Sequence, residues 1–131
     1  MHPFRAAVEA HSLESIADLL AEDVVFLSPV AFAPYHGRPL VSAILRHVAG
    51  VLQDFTYVRE IGSGGEDGLA LIFKANVDGR EVHGCDFLTF NDDGLISEFC
   101  VMVRPLSGAR ALADAMAKEF EAIKRELGLA D

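Results

Sequence analysis

The stretch Lys74–Arg104, KANVDGREVHGCDFLTFNDDGLISEFCVMVR, decides the fold. It reads as two linked β-hairpins. Asp78-Gly79 is a type I′ turn signal between LALIFKANV (69–77) and REVHGCDFLTF (80–90). Asn91-Asp92-Asp93-Gly94 is the next tight turn, and LISEFCVMV (95–103) is the last strand. Turn length fixes register. A two-residue loop at Asp78-Gly79 sets Val77 against Arg80, Phe73 against Gly84 and Leu71 against Asp86. With Asp92-Asp93 as the second loop, Leu88 faces Ser97, Asp86 faces Phe99 and Gly84 faces Val101.

Side chains alternate across a strand, so two faces follow. One carries Leu69, Leu71, Phe73, Ala75, Val82, Leu88, Phe99, Val101 and Val103. The other mixes Lys74, Asn76, Glu81, His83 and Glu98 with Cys85, Cys100 and Met102. The apolar face should meet helices; the mixed face suits solvent or a second subunit.

Asp86 falls on the apolar face. Aspartate is depleted from strands, and a buried, unpaired carboxylate costs several kcal/mol. The usual escape is a raised pKa, and a neutral carboxyl can donate a hydrogen bond to a ligand oxygen. Three readings stay open: a pocket group, a structural pair with a His, Tyr or Arg, or a one-residue slip that turns Asp86 outward.

Working outward, 131 residues with half of them hydrophobic suffice for one α+β domain spanning 1–131. The formal net charge of −9 argues against a nucleic-acid partner and against docking on anionic membranes. MHPFRAAVEA lacks a secretory signal pattern, and no stretch approaches the ~20 apolar residues of a membrane span. A cytoplasmic protein with reduced thiols is expected.

Upstream, FRAAVEA (4–10) reads as a short helix. Ser12 is a candidate N-cap for LESIADLLAED (13–23), where Leu13, Ile16, Ala17 and Leu20 fall at helical spacing. VVFLS (24–28) is a short strand. PVAFAPYHG (29–37) is a loop, and RPLVSAILRHVAGVLQ (38–53) is a helix with Pro39 in its first turn. DFTYVREIG (54–62) is a strand followed by the loose loop GSGGEDG. After Pro105, Ser107 is placed to cap a long final helix, GARALADAMAKEFEAIKREL, striped by Leu112, Met116, Phe120, Ile123 and Leu127. Lys124, Arg125 and Gly128 suit its end. Helices followed by strands argue α+β architecture.

Other candidates carry less. His36, at the loop–helix junction, is read as a turn residue or as a base at the pocket rim. It is the expected partner of Asp86 if the loop folds over the cavity. Tyr35 and Tyr57 are alternative phenols. His47 reads as a helix-face residue and His83 as a surface one. Cys85 and Cys100 face each other in this register, read as a reduced apolar pair because neighbouring strands rarely suit a disulfide. No His/Asp/Glu trio has metal spacing, and GSGGEDG lacks the Lys and helix of a phosphate loop. No metal and no cofactor is expected.

The order of elements resembles the nuclear transport factor 2-like superfamily, which includes ketosteroid isomerases and SnoaL-like polyketide cyclases. SLESIADLLAEDVVFLSPV resembles its helix–strand opening, YHGRPLV its entry to the third helix, and CDFLTFNDDGLISEF its late hairpin. The resemblance implies a cone: a strongly bent antiparallel sheet closed by helices, the long C-terminal one included, around an apolar cavity. It implies ligand contacts from Phe4 and Ser28, which stand where ketosteroid isomerases hold the oxyanion tyrosine and the base. Asp86 stands at their oxyanion aspartate and fits the acid/base carboxyl of SnoaL-like cyclases. Steroid isomerisation by the isomerases' route is therefore disfavoured, since Phe4 cannot donate and Ser28 has no adjacent base.

The expected pocket is lined by Leu71, Phe73, Val82, Leu88, Phe99 and Val101. Leu20 and Ile44 from helices and Phe32 from the loop complete it. Expected functions are a cofactor-free isomerase, cyclase or hydrolase for an apolar oxygenated molecule, with Asp86 and His36 as the candidate catalytic residues. The competing readings are a carrier for a hydrophobic ligand and a dimerising assembly domain. A homodimer through the mixed face is expected, as in many members of the resembled superfamily.

Overall fold

The computed structural model describes residues 1–129. Helices α1 (Pro3–Glu9) and α2 (Leu13–Asp18) open the chain, followed by β1 (Leu20–Leu27) and the two-residue β2 (Tyr35–His36). Helix α3 (Arg38–Val51) leads into β3 (Gln53–Gly62), β4 (Leu69–Val77), β5 (Arg80–Phe90) and β6 (Ile96–Arg104), and α4 (Leu106–Leu127) closes the order. The strands form one curved, unclosed sheet in the order β2-β1-β6-β5-β4-β3. Neighbours run antiparallel except β1 and β6, which run parallel, a pairing the hairpin reading did not contain.

The first hairpin has the expected register: Val77 pairs with Arg80, Phe73 with Gly84 and Leu71 with Asp86. The second does not. Asn91 folds the turn on itself, its Oδ1 accepting from the backbone N–H groups of Asp93 and Leu95, both at 3.0 Å. The Asn91 N–H reaches the Leu95 carbonyl at 2.8 Å, which makes the loop one residue longer. A bulge between Thr89 and Phe90 adds a second residue on β6. Asp86 therefore faces Val101 instead of Phe99, and Leu88 faces Phe99. A shift of two leaves every side chain on its face, so the apolar assignment survives the change of partner.

The second helix stops five residues earlier than its periodicity suggests, and Leu20 sits on a strand. The backbone explains it. The Leu19 carbonyl accepts from Ile96 N–H at 2.8 Å and the Leu20 carbonyl from Arg38 Nε at 3.0 Å. Those donors belong to β6 and α3, and from Leu20 on the chain runs as strand β1. Leu20, Ala21, Val24 and Phe26 are buried on the sheet instead. Ser12 holds the N-cap position of α2, as expected, but makes no side-chain capping bond, and Ser107 lies inside α4. Ser12 Oγ donates to Ser15 Oγ, and α4 starts at Leu106 behind Pro105. His2 caps α1, its Nδ1 accepting from Phe4 N–H at 3.0 Å. Gly128 ends α4 in the left-handed conformation, as read.

The concave face of the sheet and the helices enclose the core. On the outer face Cys85 pairs with Met102 and Cys100 with Phe87, so the two thiols are not directly opposed; both are free. Phe87 and Met102 are exposed there. Among the described residues no helix is long and apolar enough to cross a membrane.

Candidate functional site

A cavity of about 1010 Å³ opens between the concave face and the helices. Its sheet wall is Phe26, Tyr57, Phe73, Asp86, Phe99 and Val101; Phe4, Ile44, Leu112 and Met116 come from helices. Aromatic rings fix the wall: Phe55 stacks on Phe73 at 4.8 Å and meets Tyr57 edge-on at 4.8 Å, and Phe4 meets Phe99 edge-on at 5.4 Å. Phe73 needs the space above its cross-strand partner. A Cβ on Gly84 would lie 2.2 Å from the Phe73 ring.

Asp86 is the buried charged residue of the core, 6 % exposed. Its Oδ2 accepts from the Tyr57 hydroxyl at 2.9 Å. Tyr57 comes from β3 and reaches over β4, in the row of Phe73 and Gly84 next to that of Asp86. Burial pushes the Asp86 carboxyl up to about 7, against the Tyr57 hydrogen bond, which lowers it. Burial, and then the neighbouring Asp86 charge, raises the Tyr57 phenol further above its ordinary range. Tyr57 thus stays a hydrogen-bond donor at any working pH, while Asp86 exchanges its proton near neutrality. Arg5 lies 5.9 Å from the centre of the Tyr57 ring, held by Glu9 and Glu60.

The site therefore gathers some expected residues and leaves others out. Asp86, Phe73, Phe99, Val101, Ile44, Phe4 and Ser28 line the cavity. Leu71, Val82, Leu88 and Leu20 are buried in the core behind its wall. Phe32 is 104 % exposed and contributes nothing to the wall. His36 is exposed on β2, paired through its backbone with Val25. Among the described residues it makes no hydrogen bond to Asp86, whose partner is Tyr57. That pairing fixes the end of the loop along β1, while Pro29, Val30, Ala31 and Tyr35 line the same cavity as Asp86. Tyr57 was visible only as one of two phenols. The loose 63–68 loop gives no register for β3, and without it the distance of Tyr57 from Asp86 is undetermined.

No metal-binding group of three or more His, Cys, Asp or Glu side chains occurs among the described residues. What the site offers is a proton on an oxygen in an apolar, aromatic chamber. A carboxyl in that setting donates to a ligand oxygen when neutral and accepts a proton when ionised.

The profile of SnoaL-like domains matches residues 2–99. A steroid delta-isomerase from Pseudomonas aeruginosa is 40 % identical, with a TM-score of 0.84 over 91 % of this chain and 87 % of that one. A conserved bacterial protein with a cystatin-like fold from Silicibacter pomeroyi is 36 % identical, with a TM-score of 0.88 over 96 % and 88 %. A Mycobacterium tuberculosis protein in complex with estradiol-17beta-hemisuccinate shares the fold at 24 % identity and a TM-score of 0.62, over 81 % and 91 %. No curated protein matches the chain.

Proposed function

Since the chain belongs to the SnoaL-like domain family, within the nuclear transport factor 2-like superfamily, we propose that it is a cofactor-free acid/base enzyme, an isomerase, cyclase or hydrolase. Its substrate is an apolar oxygenated molecule such as a polycyclic ketone, an epoxide or a polyketide-like ester. The observation that carries the reading is the buried Asp86 carboxyl, held by Tyr57 on the wall of an aromatic cavity. The cavity volume reaches the upper end of the roughly 300–1,000 Å³ common for small-molecule sites. The steroid isomerase among the similar structures supports a substrate of polycyclic size.

In this mechanism neutral Asp86 passes its proton to the substrate oxygen as negative charge develops there. The carboxylate left behind keeps the Tyr57 hydrogen bond, which stabilises it and holds its orientation. The carboxylate then takes the proton that leaves the adjacent substrate carbon on enolisation, or the water that adds on hydrolysis, which restores neutral Asp86. The route differs from the one implied by ketosteroid isomerases. Ser28, just after the end of β1, stands at the position of their base, and Phe4 occupies the phenol position, its ring packed on Phe99.

Those two replacements favour a second reading, a carrier that binds without chemistry. Turnover of a panel of ketones, epoxides and polyketide-like esters by wild type and Asp86→Asn separates the two. The enzyme reading expects a loss of about 10²–10⁴-fold in the variant, the usual contribution of a positioned acid or base. Equal rates in both proteins contradict it. A ligand retained through purification, with no turnover in either protein, supports the carrier.

A further inference from the structure

The concave wall carries a second polar group in register with Asp86. In the parallel β1–β6 ladder Phe26 pairs with Phe99 and Leu27 with Cys100. Ser28 follows Leu27, the last residue of β1; carried one residue further, the same register sets it level with Val101, the partner of Asp86 on β5. Ser28, Val101 and Asp86 therefore form one row across the cavity wall, and all three line it. Two interstrand gaps separate the outer members, about 10 Å at the usual spacing of ~4.8 Å.

The hydrogen-bond inventory at both ends is incomplete in the same sense. Ser28 Oγ accepts from Val30 N–H at 3.1 Å. That uses a lone pair and leaves the hydroxyl proton to donate; among the described residues it finds no protein acceptor. At Asp86, which lines the cavity, Tyr57 occupies Oδ2, and Oδ1 has no side-chain hydrogen bond among the described residues. Between them lies Val101, with Phe26 and Phe99 in the next row. The other polar lining residues stand apart. Glu9, His11, Arg46, Asp54 and Thr56 are exposed, and the Tyr35 ring stacks on Phe120 at 5.1 Å.

We propose that the cavity recognises a neutral, elongated apolar molecule with two oxygen functions about 10 Å apart, one bound by Asp86 and the other by the Ser28 hydroxyl. Ser28 is then the residue that sets specificity. The inference rests on the reading of the Asp86 cavity as a ligand site. It adds that the position vacated by a base is a second anchor.

Titration calorimetry with a matched pair tests it: an androstane monoketone and the androstane diketone with carbonyls at opposite ends of the ring system. Wild type is expected to bind the diketone about five- to tenfold more tightly, the scale of one added hydrogen bond. Ser28→Ala reduces that ratio to about one, while Ser28→Thr, which keeps the hydroxyl, retains it. A ratio of one in wild type, or a ratio that Ser28→Ala leaves intact, overturns the two-point inference while the cavity reading stands. Binding of neither ketone contradicts the cavity reading and the inference together.

Discussion

Asp86 is held by the Tyr57 hydrogen bond at 6 % exposure, and the consequence for stability has a definite sign. Its folded pKa, about 7, lies above the ordinary 3.8. Below about pH 4 both states are protonated and the stability linked to this group is fully present. Between about 4 and 7 the unfolded chain ionises while the folded one keeps its proton, so stability falls by up to about 1.4 kcal/mol per pH unit. Above about 7 nothing further is lost. Denaturant unfolding should show wild type losing stability relative to Asp86→Asn across that interval, by a few kcal/mol. A difference independent of pH would mean that the carboxyl is not desolvated. The sequence made this residue legible in part. Alternation and the Asp78-Gly79 turn placed it on the apolar face, yet its partner lay on a strand whose register no turn defined. His36 was the nearer candidate by residue type, and the pairing of its backbone with Val25 removed it.

At the scale of elements, the hairpins were legible because turn residues and period-two patterning agreed, and the helix-to-strand boundary at Leu19–Leu20 was not. The run LLA fits a buried helix face and a buried strand equally. Acceptance of Ile96 N–H and Arg38 Nε by those carbonyls decides it, and both donors are distant in sequence. The pairing of Phe73 with Gly84 shows how tightly the strands define the chamber. Gly84→Ala would push a methyl group into the Phe73 ring, with an expected cost of about 1–3 kcal/mol as overpacking. The doubly substituted Gly84→Ala/Phe73→Leu should recover part of that loss, because the two sites share one space. Additive losses in thermal unfolding would show that the ring is not confined by the glycine.

For the whole molecule, charge and composition excluded partners and could not choose a ligand. The cone emerged from the order of elements, while the parallel β1–β6 pair that brings Ser28 level with Asp86 joins segments some seventy residues apart and left no local sign. The resulting chamber desolvates one carboxyl, and the proposed chemistry depends on that desolvation. Carboxyl-carbon NMR of Asp86 across pH measures it most directly. The account predicts a titration midpoint near 7 in wild type, moving higher in Tyr57→Phe as the lowering hydrogen bond is lost. A midpoint near the ordinary aspartate value of about 4 would contradict it.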